Sequence, residues 1–227
     1  MIRKFIFSLA LFSTVAQASI VITGTRVIYP ASSKEVTVKV SNKGESPVLI
    51  QSWLDNGDTN AKPDKIKVPF VLTPPINRVE PSSGQTLRIR ALPNNLSQKQ
   101  ESIFWLNVLE IPAKPKEDVV EKNNYLQVAF RSRIKFFYRP SSLKGSLAEA
   151  AKTLQWTHSG KGLHVKNSSP YHVSLVQVSV GKKHVDGKML KPFSEMDYAL
   201  PATSGSQLTA SYVNDYGAVI PVKFTLK

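Results

Sequence analysis

The chain has 227 residues, a formal net charge of +14 and no cysteine. The absence of cysteine excludes thiol catalysis, cysteine-ligated metal sites and disulfide exchange, so the fold has to rest on packed hydrophobic cores. In an exported chain, such a basic balance favours acidic proteins, carboxylates or lipid headgroups as partners over nucleic acid, and general solubility is the other explanation for it.

The first residues have the pattern of a secretory signal peptide. Arg3 and Lys4 give a positive start, residues 5–15 are mostly apolar, and residues 16–18 (Ala-Gln-Ala) form a small-residue cleavage site. The apolar run is shorter than the roughly 18–20 residues that a membrane span needs, and no later run is long enough. We therefore expect a mature chain that begins near Ser19 and lies outside the cytoplasm.

Short alternating segments separated by turn residues follow the signal peptide. In one of them Val36, Val38 and Val40 share a face, and the segment stops at a Ser-Asn-Lys-Gly turn. Segments of this kind predict strands at 20–22, 24–30, 35–40, 48–54, 70–72, 86–91 and 103–111. Strands of this length with a turn about every 8–12 residues indicate an antiparallel sandwich.

A charged, proline-containing stretch at 112–124 is typical of an exposed loop, and it leads into a long predicted strand at 126–138. In that strand Leu126, Val128 and Phe130 project from one face, because strand side chains alternate between faces. If the row faces the chain's own core, it is ordinary packing. If the strand is an edge and the row faces outward, it could add a strand to another protein's sheet.

The second half of the chain repeats the strand pattern after Arg139-Pro140. Residues 143–154, rich in Ala and Leu, predict one or two helical turns. Further strands are predicted at 163–165, 173–180, 198–200, 207–213 and 220–226. The length fits two domains of about 100 residues. We place the domains at 19–139 and 140–227, after the signal peptide at 1–18.

Catalytic motifs are missing from the sequence. It contains no G-x-S-x-G, no G-x-G-x-x-G and no phosphate-binding Gly-Lys-Ser loop. The four histidines lack the spacing of a zinc site, which needs three or four convergent ligands. A secreted hydrolase on a β-sandwich would need convergent acid and base groups, and no pattern in the sequence points to them.

Six segments, in order along both domains, carry a family resemblance. They are 24–30 (GTRVIYP), 73–81 (TPPINRVEP), 101–112 (ESIFWLNVLEIP), 126–140, 167–171 (NSSPY) and 214–217 (NDYG). On these segments the chain resembles the periplasmic chaperones of chaperone–usher pilus assembly. This is the PapD/FimC-like family, and the resemblance is to its branch with a short loop before the donor strand, which is the strand that the chaperone lends to a pilus subunit.

The resemblance implies an all-β fold of two immunoglobulin-like β-sandwich domains in a boomerang (L-shaped) arrangement. It implies a periplasmic chaperone that binds, folds and caps pilus (fimbrial) subunits by donor-strand complementation and delivers them to the outer-membrane usher. No enzymatic activity, cofactor, nucleic acid or membrane span in the mature chain is implied. The main alternative is an exported two-domain immunoglobulin-like adhesin or pilus structural protein.

The resemblance also implies roles for charged residues. Arg26 and Lys135 match the two basic groups that hold the C-terminal carboxylate of a bound subunit in the cleft between the domains. Glu101, Arg139 and Asp215 match the charged residues that fix the angle between the domains. Without the resemblance, an isolated Arg or Lys in a strand would be assigned to a solvated face.

Four further residues match the donor strand. Leu126, Val128 and Phe130 correspond to the side chains that fill the open groove of a subunit, and Asn124 lies just ahead of them. Strict alternation puts Lys135 on the face opposite Leu126, so we expect a β-bulge or strong twist between Phe130 and Lys135.

Overall fold

The structure is a computed structural model, and it describes residues 19–113, 127–160 and 162–226. The predicted signal peptide, Asn124 and Leu126 lie outside the described residues. The described chain forms two β-sandwiches, and this confirms the expected all-β, two-domain class. No helix within the described ranges is long and apolar enough to cross a membrane.

The first sandwich is built from two sheets. Its strands are β1 (Ile20–Ile22), β2 (Arg26–Pro30), β3 (Val36–Asn42), β4 (Val48–Asp55), β5 (Phe70–Thr73), β6 (Ile76–Val79), β7 (Gly84–Ala91), β8 (Ser102–Pro112) and β9 (Phe130–Arg139). Four strands pair in the order β1-β3-β7-β5 and five in the order β2-β9-β8-β4-β6. Alternation decides which side chains enter the core: in β7, Leu87 and Ile89 are buried while Arg88 and Arg90 are exposed.

Aromatic side chains fill the end of this core where β2, β8 and β9 meet. The ring of Phe70 lies 4.9 Å from that of Phe136 and 5.0 Å from that of Phe104, both edge to face. Tyr29 stacks on Tyr138 at 5.9 Å. Because such pairs stabilise beyond the area they bury, the second half of β9 is held firmly in place.

β9 keeps one continuous register. It pairs antiparallel with β8 from Phe130 to Tyr138 without a shift, so of the two alternatives predicted between Phe130 and Lys135 the bulge is wrong, and the strong twist stays a prediction. Lys135 lies on the face opposite Phe130 simply because the alternation is unbroken. The strand also begins at Phe130, later than predicted, and Val128 precedes it outside any strand.

The other neighbour of β9 covers only half of it. β2 runs parallel to β9 and pairs with residues 135–139 alone. Within the described part of the chain, residues 130–134 therefore have β8 on one side and an open edge on the other.

The second sandwich begins with helix α1 (Leu147–Lys152), whose first turn is capped by the Ser146 hydroxyl, which accepts from the backbone N–H of Glu149 at 3.2 Å. Its strands are β10 (Gln155–Ser159), β11 (Gly162–Lys166), β12 (Val173–Val180), β13 (Lys183–Asp186), β14 (Met189–Leu190), β15 (Glu195–Tyr198), β16 (Gln207–Val213) and β17 (Val219–Thr225). One sheet has the order β10-β11-β15 and the other β13-β12-β16-β17, with β14 also paired to β12. The boundary at 139/140 stays a prediction.

Candidate functional site

A basic cleft lies between the two domains. Arg26 on β2 is the register partner of Lys135 on β9, so the two predicted anchor residues are adjacent. They line a cavity of about 360 Å³. Its other lining residues are Thr25, Trp105, Arg133, Val213 and Gly217. Because Val213 and Gly217 come from the second sandwich, the cleft exists only while the two domains are docked.

The Arg26 guanidinium is partly desolvated. Its Nη1 donates to the carbonyl of Val213 at 2.9 Å, and its Nε is buried without a hydrogen-bond partner among the described residues. Burial lowers the pKa of Arg26, although the charges of Asp215 and Glu101 raise it in part. The buried charge of Arg26 is thus only partly compensated by the residues that the structure describes.

Lys135 is half-buried beside a like charge. Burial lowers the pKa of Lys135, and the neighbouring positive charge of Arg26 lowers it further. No described residue supplies it with a carboxylate. Two desolvated cations side by side are costly for the free protein, so the site favours a bound anion.

Arg133, which also lines the cavity, is already neutralised. Its Nη2 and Nε donate to the two carboxylate oxygens of Asp55 at 2.6 and 3.1 Å, and its guanidinium lies 4.6 Å from the ring centroid of Trp105. Asn107 donates to the same carboxylate at 2.7 Å. Burial alone would raise the pKa of Asp55, but the bonds from Arg133, Asn107 and the Gly57 N–H lower it.

The predicted apolar row is exposed where the structure describes it. Val128 is 49% exposed and Phe130 is 58% exposed. Phe130 shares its strand face with Phe136 and Tyr138, which are buried in the first sandwich. The apolar face of β9 thus runs out of the core and continues, uncovered, along the open edge.

Glu101 joins the two domains from a buried position, with 2% of its surface exposed. Its Oε1 accepts from Nε of Arg139 at 2.7 Å, and its Oε2 accepts from the backbone N–H of His172 at 2.8 Å. The Nδ1 of His172 lies 3.3 Å from the same oxygen. The carboxylate therefore holds both the end of β9 and the start of β12.

Arg139 bridges this carboxylate to the β16–β17 hairpin. Its Nη1 and Nη2 donate to Asp215 at 2.7 and 2.8 Å, in a two-pronged pair. Burial alone would lower the pKa of Arg139, but the bonds to Asp215 and Glu101 raise it above its usual value. The structure thus places the three predicted charges in one chain of contacts and adds His172.

The same hairpin touches the first domain through a glycine. Gly217 has a φ of +89°, and a Cβ at this position would lie 2.6 Å from the Oγ1 of Thr25. Both the left-handed backbone and the close approach require glycine here. The hairpin that carries Asp215 is therefore seated directly against the rim of the cleft.

Family models match both halves of the chain. The model described as the pili and flagellar-assembly chaperone PapD N-terminal domain matches residues 19–144, and that of the pili assembly chaperone PapD C-terminal domain matches residues 149–224. The chain belongs to the PapD family of pilus assembly chaperones. Members of this family are binding proteins rather than enzymes.

Similarity to known proteins covers most of this pilus assembly chaperone. It is 45% identical to the chaperone protein FimB/FhaD of Bordetella pertussis, over 94% of this chain and 90% of the relative. The crystal structure of the Pseudomonas aeruginosa CupB2 chaperone is 37% identical and superposes with a TM-score of 0.78, covering 91% of this chain and all of that one. The SafB chaperone of Salmonella enterica, solved in complex with the SafA pilin, is 27% identical with a TM-score of 0.80, covering 92% of this chain and 96% of that one.

Several residues of this chaperone's site were not predicted from the sequence. Asp55 and His172 lack a local signal, because they meet Arg133 and Glu101 only after long stretches of chain have folded. Trp105 is apolar and gives no sign in the sequence that it lines a charged cavity. In the described ranges, no group of three or more His, Asp or Glu side chains is placed to hold a metal ion.

Proposed function

We propose that this chaperone holds a pilus subunit by its C-terminal carboxylate at Arg26 and Lys135. The observation that carries the proposal is the pair of adjacent, half-desolvated cations without a carboxylate partner in the described chain. A carboxylate there would restore the lost solvation of both cations. Each charge-assisted hydrogen bond would contribute about 1.5–3 kcal/mol.

The open edge of β9 would bind the rest of the subunit's last strand. No described strand pairs with residues 130–134 on their outer side, so their backbone groups are available, and Phe130 offers an exposed apolar side chain that would enter the subunit's open groove. Burying such a side chain contributes roughly 1.5–3 kcal/mol. Val128 would extend this row, and Leu126 and Asn124, which lie outside the described residues, would continue it by strand alternation.

The interdomain charges would keep the cleft in its binding shape. Glu101, Arg139 and Asp215 do not line the cavity, so their role would be structural. Contacts of modest area leave two domains free to rock unless something fixes them. We propose that this chain of contacts sets the angle at which the two walls of the cleft face each other.

The cellular setting proposed for the protein is the periplasm, reached through the signal peptide at 1–18, with delivery of the bound subunit to an outer-membrane usher. SafB, a relative of known structure, was solved with a pilin bound. The family match favours a chaperone over the alternative of an adhesin or pilus structural protein. Cell fractionation tests the location, and an N-terminus at Ser19 in the purified protein tests the cleavage.

The anchor is tested by co-expressing the tagged chaperone with a fimbrial subunit and measuring the subunit that it retains. We expect Arg26→Ala and Lys135→Ala to abolish retention, and removal of the subunit's last residues to do the same. Lys39→Ala is the matched control, because Lys39 is exposed on the other sheet. Full retention by either cleft variant, with a folded chaperone, would show that this pair of cations does not hold the subunit.

A further inference from the structure

Basic side chains line the face of β9 opposite its apolar row. Arg131, Arg133 and Lys135 alternate along the strand and so project from the same face. Arg131 and Arg133 belong to the half of β9 whose edge is open, and Lys135 lies where β2 begins to cover it. A strand added at the open edge would therefore run beside two arginines before it reached the anchor.

The two arginines differ in what already neutralises them. Arg133 is bound at two points to the buried carboxylate of Asp55. Arg131 is exposed and donates from Nη1 to the carbonyl of Thr59 at 3.0 Å. The residue opposite Arg131 on β8 is Leu109, and no carboxylate in the described ranges pairs with Arg131. On this half of the face, Arg131 is thus the cation that no described carboxylate neutralises, and its charge is available to a partner.

β2 defines the line that an added strand would follow. It is parallel to β9 and starts its pairing with Arg26 opposite Lys135, so a strand on the same line has to stop just before Arg26. Arg131 lies four positions before Lys135 along β9. At roughly 3.3 Å per residue, the side chain opposite Arg131 belongs to a residue about three positions before the carboxyl end of the added strand.

We propose that Arg131 selects subunits that carry Asp or Glu about three residues before their C-terminus. This inference rests on the proposed function, because it takes the carboxylate anchor as the fixed end of the strand. Directly opposed side chains of opposite charge stabilise a strand pair, and like charges destabilise it. Exposed pairs are individually weak, so Arg131 acts on the choice between subunits more than on the strength of holding.

The test uses short strand-forming peptides bound to the whole mature chaperone. Three free-acid peptides differ only in the third residue before the last, which is Glu, Gln or Lys, and a fourth peptide is the amidated copy of the Glu peptide. We expect the wild type to bind the Glu peptide about tenfold more tightly than the Lys peptide at low salt. Arg131→Glu should reverse that order and Arg131→Gln should remove it.

Arg90→Glu is the matched control, since it changes the net charge equally from an exposed position on β7 of the other sheet. It should keep the wild-type preference. Equal binding of the three free acids to the wild type, with weaker binding of the amide, would overturn the role of Arg131 and leave the anchor standing. Equal binding of the acid and the amide would overturn the anchor, and the selection by Arg131 with it.

Discussion

Replacing Glu101 with Gln should lower the free energy of unfolding of this chaperone by about 3 kcal/mol. The carboxylate accepts from Arg139 through one oxygen and from His172 through the other, and it is almost fully buried. An amide in the same place has only one oxygen, so its NH₂ group must face a donor N–H whichever way it is turned. The expected loss of stability is smaller than for a substitution that leaves a buried charge with no partner, because Arg139 keeps its bond to Asp215.

Urea unfolding of the purified chaperone measures this loss. Asp215→Asn should cost only about 1 kcal/mol, because Asp215 lies nearer the surface. Glu35→Gln is the matched control: Glu35 pairs with Arg88 at 3.4 Å on an exposed face, and its loss should cost less than about 0.5 kcal/mol. Small-angle scattering of Glu101→Gln should show a broader distribution of interdomain distances. A loss of unfolding free energy no larger than that of the control, or an unchanged scattering profile, would show that the contacts of Glu101 do not hold the two domains together.

Three further changes test the rest of the site. Phe130→Ser should leave the melting temperature nearly unchanged, because the ring is exposed, and should weaken subunit binding at least about tenfold if the ring enters the subunit as proposed. A large drop in melting temperature would instead place the ring in the chaperone's own core. Lys135→Met should raise the melting temperature while abolishing subunit retention, because burial and Arg26 lower the pKa of Lys135 and so disfavour its charge; a lower melting temperature would contradict this. The lowered pKa of Asp55 means that its contribution to stability is present above about pH 4 and is lost as pH falls through the pKa of the folded protein. The melting temperature of Asp55→Asn should therefore depend less on pH in the acid range than that of the wild type. Parallel curves of melting temperature against pH for the two proteins would contradict this.

Strong alternation between clear turns made the longer strands predictable. The strands at 173–180 and 207–213 were predicted with the bounds that the structure gives to β12 and β16. The strands that were missed are short or polar, as in β13, where Lys183-His184-Val185-Asp186 has no apolar face to mark it. Such edge strands form because a neighbouring strand pairs with them, and that neighbour is not visible locally.

The residues of the site differ in how well their positions could be predicted from the sequence. Arg26 and Lys135 lie near each other through a parallel pairing that a family resemblance implies and alternation alone does not. The bulge prediction is wrong because it assumes that all functional side chains of one strand project from the same face. In the structure the two faces of β9 carry separate groups, Phe130 on one and Lys135 on the other.

If β9 binds subunits as proposed, its unbroken register means that one strand contributes to two hydrophobic cores. Phe136 and Tyr138 are locked into the chaperone's own aromatic packing, and Phe130 projects from the same rigid backbone toward whatever covers it. A strand fixed at one end loses less conformational entropy on association than a free one, so a subunit that bound here as proposed would meet a preorganised strand. A change that loosens the chaperone's core at Phe136 should therefore slow the capture of a subunit, although it alters no residue that contacts the subunit.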